Sequence, residues 1–162
     1  LPRLGGSARA PGRLRRWRPR SRPGAPILRH HAVRPGIPAP RKFTATAGAQ
    51  TITLERLAQP GPHGYLLAQI SIGGSATHFY TVEARRRIGF DAGLPGDAII
   101  IHEVDMEREA PAMLMGRPGE DVRLHADSMW QVGQTFVNAT HGVTITVEAE
   151  TATGFVVTIA LR

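Results

Sequence analysis

The chain is expected to be an all-β protein, an antiparallel β-sandwich of about seven strands with a disordered basic N-terminal arm. Three observations lead there. Apolar residues recur at every second position in segment after segment, as side chains alternating across a pleated strand require. Gly and Pro clusters punctuate these segments at short intervals. No stretch has the 3.6-residue apolar period of an amphipathic helix.

In chain order, "TITLERLA" places Ile52 and Leu54 on one face, then Leu57 after a slip. "YLLAQISI" aligns Leu66, Ala68, Ile70 and Ile72. "THFYTVEAR" separates Tyr80, Val82 and Ala84 from Phe79, Thr81, Glu83 and Arg85. "DAIIIHEV" is a continuous apolar run, the pattern of a strand covered on both faces. "QTFVNA" is short; "GVTITVEAE" alternates on Val143, Ile145 and Val147, and "TGFVVTIALR" on Phe155, Val157, Ile159 and Leu161. "GGSA" and "AETATG" have the length and composition of hairpin turns. The stretch from about Met106 to Gln131 reads as a long irregular loop with room for a short helical turn, too long to be a mere connector.

Composition divides the chain at a different place. Residues 1–42 hold eleven Arg, one Lys, no acid and eight of the thirteen prolines. The rest holds eight Arg against thirteen acids, so the net +7 belongs to the arm and the body is mildly acidic. Missing backbone donors and self-repelling charge leave the arm unable to offset its ordering entropy by burial. Residues 1–49 are therefore expected to be disordered, and 50–162 to form the sandwich. The arm has three readings: a nucleic-acid or anionic-surface tail, a basic linker, or a stretch translated out of frame. Nucleic acid is not expected as a partner of the body.

With no cysteine, disulfides, thiolate metal sites and a Cys nucleophile are excluded. No apolar run approaches the roughly 18 residues of a membrane helix. The sequence starts on Leu with no signal-peptide pattern, so a fragment is expected, with any signal upstream.

His102-Glu103 opens the H-E-x-x-H signature of zinc peptidases, in which a helix brings both histidines to one metal. Position 106 is Met, and the surroundings are a strand. Alternation then puts His102 with Ile100 and Val104, and Glu103 with Ile101 and Asp105 on the opposite side. No zinc site is expected here. His102 reads as a satisfied, partly buried strand histidine and Glu103 as a cross-strand partner. His30, His31, His63, His78, His125 and His141 show no ligand spacing within the body, and Ser71, Ser75 and Ser128 have no nucleophile-elbow context. The calcium candidates are the loop carboxylates Asp91, Asp97, Asp105 and Asp127, against the plainer reading that they cap turns. Arg85-Arg86-Arg87 is expected to pair with Glu83 or a cross-strand acid rather than to contact a ligand. Met106, Met113, Leu114, Met115 and Met129 make the long loop apolar; it either folds over the core or meets another domain. Trp130 and Phe136 are expected to plug the end of the sandwich.

"YTVEARRRIGFDAGLPGDAIIIHEVD" and "MWQVGQTFVNATHGVTITVEAETATGFVVTIAL" together resemble the segment that follows the catalytic core in gametolysin-like and immune-inhibitor-A-like secreted metallopeptidases. The matched positions are Tyr80, Val82, Glu83 and Arg85; Gly89, Phe90, Asp91, Gly93, Leu94 and Pro95; Val104 and Asp105; Trp130, Gly133 and Phe136; and Gly142 to Val147. The family's H-E-x-x-H helix is absent, so no catalytic residue carries over. The resemblance implies a non-catalytic accessory β-sandwich domain, extracellular, with zinc only in a missing upstream domain. Its implied partner is that catalytic domain or another protein surface, with Met113, Met115, Met129 and Trp130 as the candidate contact. The alternative is a free-standing carbohydrate- or protein-binding module.

Overall fold

The computed structural model describes residues 41–119 and 125–162. They form an all-β sandwich of two sheets. Nine strands run in chain order: β1 (Lys42–Thr44), β2 (Gly48–Glu55), β3 (Leu67–Ser71), β4 (His78–Arg85), β5 (Ala98–Asp105), β6 (Ala112–Leu114), β7 (Thr135–Asn138), β8 (Val143–Glu150) and β9 (Gly154–Leu161). The first sheet has the order β1-β3-β4-β5-β6 and the second β2-β9-β8-β7. All pairings are antiparallel except β1 with β3, which is parallel.

The core is where the two inner faces meet. Ala68, Ile70, Tyr80, Val82, Ala84, Ile99 and Ile101 come from the first sheet. Ile52, Leu54, Phe136, Val143, Ile145, Val147, Phe155, Val157 and Ile159 come from the second. Each large side chain so buried stabilises the fold by about 1.5–3 kcal/mol relative to exposure. Trp130 and Phe136 meet edge to face at 5.6 Å and close one part of this core, as their size suggested.

The turns explain themselves locally. Between β3 and β4, Ser75 N–H donates to Ile72 O across Gly73 and Gly74, both at positive φ (59° and 77°). Two left-handed residues in a row are what a type I′ hairpin turn demands. At the start of β9, Gly154 runs so close to β2 that a Cβ there would sit 1.9 Å from Leu54 O. The outer face of the second sheet carries a row of threonines, Thr51, Thr158, Thr146 and Thr135, one from each strand in register. The outer pairs share hydroxyl hydrogen bonds of 2.9 Å (Thr51–Thr158) and 3.2 Å (Thr135–Thr146).

Seven of the nine strands lie where the sequence pattern placed them. The other two correct the expectation. β1 and the first residues of β2 lie ahead of residue 50, so the ordered body begins earlier than composition suggested. β1 is held by Leu66 N–H to Arg41 O and Ala45 N–H to Gln69 O. The stretch 106–131 is no continuous loop: it contains β6, which extends the first sheet, and a 3-10 turn at His125–Ser128. The expected disorder of the arm concerns residues 1–40, outside the described residues.

Candidate interaction surface

The segment joining β4 to β5 is the most strongly tethered connection described. Arg85 donates through Nε and Nη2 to Glu83 Oε1 (2.9 and 2.7 Å) and through Nη1 to Asp91 Oδ1 (3.0 Å). Next to it, Arg86 Nε donates to Asp97 Oδ2 (3.0 Å), and its terminal nitrogens reach Thr151 O and Glu150 on the β8–β9 hairpin. Asp97 Oδ1 accepts the Arg87 backbone N–H at 2.7 Å. That N–H, aided by the Arg86 guanidinium, outweighs the cost of burial and holds the Asp97 carboxyl below its usual range. Gly89, at φ 59°, lets the chain double back into a 3-10 turn, Gly89–Asp91. Phe90 lies at the tip and is fully exposed, at 104 %.

Leu94, beyond this turn, and the 128–129 segment wall a groove of about 280 Å³ on the outer face of the first sheet. Ile100, His102 and Leu114 line it, with Leu94 and Met129 to the sides and Glu83–Arg85 at one end. His102 lies between Thr81 and Leu114 in cross-strand register. It faces outward, and its neighbour Glu103 faces inward, so the two project from opposite sides of β5. His102 is a partly buried strand histidine as expected; its ring makes no hydrogen bond with any described residue and faces Ile100 and Leu114 across the groove.

On the inner side, Glu103 stands opposite Tyr80, as a cross-strand partner should. Glu103 Oε1 accepts from Arg108 Nη2 (2.6 Å) and lies 3.1 Å from His78 Nε2. Burial favours its neutral form, but the bonds and charges of Arg108 and His78 prevail and lower its pKa. The Tyr80 hydroxyl, 3.4 Å from Glu103 Oε2, also lies 2.7 Å from His141 Nδ1 and accepts from Asn138 Nδ2 at 2.8 Å. Burial and the Glu103 charge push the Tyr80 phenol up to about 12, so it remains protonated at neutral pH. The sequence offered no signal for this cluster, because His141 and Tyr80 are 61 positions apart and belong to different sheets.

The structure takes the four calcium candidates one by one. Asp91 pairs with Arg85, Asp97 with Arg86, Asp105 with Arg108 and Asp127 with Arg117. They are not brought together, and no group of three or more potential ligands that could hold a metal occurs among the described residues.

The methionine-tryptophan set also disperses. Met129 and Trp130 are 3 % exposed, and Trp130 Nε1 donates to Met115 O at 2.9 Å. Met115 is half-buried against the core. Met113 alone of the four is exposed, with Met106 nearby in sequence. Met115, Met129 and Trp130 pack back onto the sandwich, which leaves Phe90, Met106 and Met113 as exposed members of the apolar residues singled out from the sequence. Among the described residues no helix is long and apolar enough to cross a membrane.

No family model, no curated protein and no solved structure matches this chain.

Proposed function

We propose that this chain is a non-catalytic accessory β-sandwich of a secreted zinc metallopeptidase, and that it docks on its partner through the turn carrying Phe90. The observation that carries the reading is Phe90 itself. A phenylalanine wholly in water is unfavourable for an isolated domain, whereas a rigid, preorganised aromatic is what a buried interface anchor requires. The two arginine–aspartate ties hold the turn in place before any partner arrives. Arg87, exposed beside it, adds a residue type enriched at interfaces. The turn is also the Gly-Phe-Asp-x-Gly-Leu-Pro element of the resemblance.

Under this reading zinc and proteolysis belong to the partner, the location is extracellular, and the sandwich contributes shape. The test uses the tagged chain as bait in the culture medium of its source. Co-purification of a protein bearing an H-E-x-x-H helix, lost in Phe90→Ser, is the expected result. Equal recovery with both chains overturns it. A free-standing protein-binding module would use the same turn, and recovery of a partner without that motif would favour it. A carbohydrate ligand is the poorer alternative, because the groove on the outer face of the first sheet is lined by no Trp, Tyr or Phe on which a sugar ring could stack.

A further inference from the structure

We propose that Tyr80 is a one-proton relay that couples the charge of His141, on the β7–β8 turn, to Glu103 on β5. The inference starts from counting protons. Asn138 Oδ1 accepts the His141 backbone N–H at 3.0 Å, which fixes the amide so that Nδ2 faces the Tyr80 hydroxyl as a donor. Tyr80 Oη therefore has one lone pair engaged and a single proton to give. Two acceptors compete for it: His141 Nδ1 at 2.7 Å and Glu103 Oε2 at 3.4 Å.

The relay requires neutral His141 to be its Nε2–H tautomer, in which Nδ1 accepts the phenolic proton at 2.7 Å and Glu103 Oε2, at 3.4 Å, receives none. When His141 gains a proton, Nδ1–H becomes a donor and must point at Tyr80 Oη. The phenolic hydrogen cannot stay between them. It rotates about Cζ–Oη to Glu103 Oε2, and that contact shortens from 3.4 Å. Tyr80 then accepts twice and donates once, with every group satisfied. No bond other than the new N–H forms, and no proton leaves the phenol.

Glu103 is the right receiver. Its other oxygen holds Arg108, which also pairs with Asp105 and so ties down the segment between β5 and β6. Protonation on one sheet is thereby felt at a connection of the other. The groups against His141 are His78 and Tyr80 from β4, with ring centres 5.6 and 5.7 Å from its own, and Asn138 from β7; Glu103 stands behind His78 and Tyr80, and Arg108 behind Glu103. Histidine is the side chain that changes charge between about pH 5 and 8.

His78 touches Glu103 directly, so the test is made in the His78→Gln chain. Carbon-13 signals of Tyr80 Cζ, Glu103 Cδ and the His141 ring are followed from about pH 8 to about pH 5. Both Tyr80 and Glu103 should shift with the midpoint of His141. In His78→Gln/Tyr80→Phe, His141 should still titrate while Glu103 Cδ no longer follows it. A Tyr80 Cζ signal that stays flat, or a Glu103 Cδ that still tracks His141 in the double variant, overturns the relay in favour of a direct field. Should either variant fail to fold, the Tyr80 hydroxyl proton of the natural chain decides: its nuclear Overhauser contacts should pass from the His141 ring to Glu103 as His141 charges, and contacts that stay on His141 overturn the relay.

Discussion

The Arg85 guanidinium spans Glu83 on its own strand and Asp91 across the following turn, at 2.7 and 3.0 Å, and so joins the strand to the tip that presents Phe90. Burial would lower the arginine's pKa, but the bonds and charges of the two carboxylates raise it. Both acids are about nine-tenths buried, and Asp91 Oδ2 has no other partner. Arg85→Met would strand two carboxylates. The expected cost is about 1–3 kcal/mol, between the values for exposed and buried pairs, read as a lower urea midpoint. Faster amide exchange over residues 88–94 should accompany it.

Phe90→Ser should leave the urea midpoint within about 0.5 kcal/mol of the natural chain, because the ring contributes nothing to the core. A larger fall would mean that the ring packs on the domain, and would remove the basis for calling it a docking residue.

Gly154→Ala should destabilise by about 3 kcal/mol or more, since the added methyl meets a backbone oxygen that cannot move without breaking β2 from β9. Thermal unfolding monitored by circular dichroism measures it. A neutral substitution would show that the β8–β9 hairpin stands further from β2 than described.

Trp130→Ala should cost about 3–5 kcal/mol through the cavity it leaves. Trp130→Phe should cost about 2 kcal/mol, largely because Met115 O loses the indole N–H. Equal losses for the two variants would count against that hydrogen bond.

Stability should fall in acid. The Asp97 carboxyl is lowered first by the Arg87 N–H, and Glu103 by Arg108 and His78 against burial. Glu55 is lowered too: burial opposes its charge, and the N–H groups of Gly64 and Gly61 lead the contributions that overcome it. A carboxyl lowered on folding binds its proton more readily in the unfolded chain. Its contribution is whole above about pH 5, beyond the unfolded values, and is lost as pH drops through the folded value. The urea midpoint should decline from pH 5 to pH 3. Asp97→Asn should lower the midpoint at pH 7 and flatten that decline; an unchanged slope would exclude Asp97 as a contributor.

Five of the strands were legible because five or more residues of alternation reveal a period, as Tyr80, Val82 and Ala84 do on β4; β5 showed as a continuous apolar run and the four-residue β7 as a short apolar stretch. β1 and β6 were not, since three residues cannot show one, and β1 finds its partner 25 positions on, as Lys42 with Leu67. The opposed directions of His102 and Glu103 follow from strand geometry alone and were readable. The fates of Met129 and Trp130 were not: apolar side chains in a long connection announce burial without saying against what. Nor could the spacing of Asp91, Asp97, Asp105 and Asp127 reveal that an arginine awaited each.

Three of the four outermost strands are very short: β1 and β6 have three residues and β7 has four. A neighbouring molecule trying to extend either sheet there would find too few free amides and carbonyls to hold on to. The eight-residue β2 is different. Tyr65 shields it only near Thr53 and Glu55, so Gly48–Ile52 is the length along which crowded copies of this protein would begin to stack into fibrils.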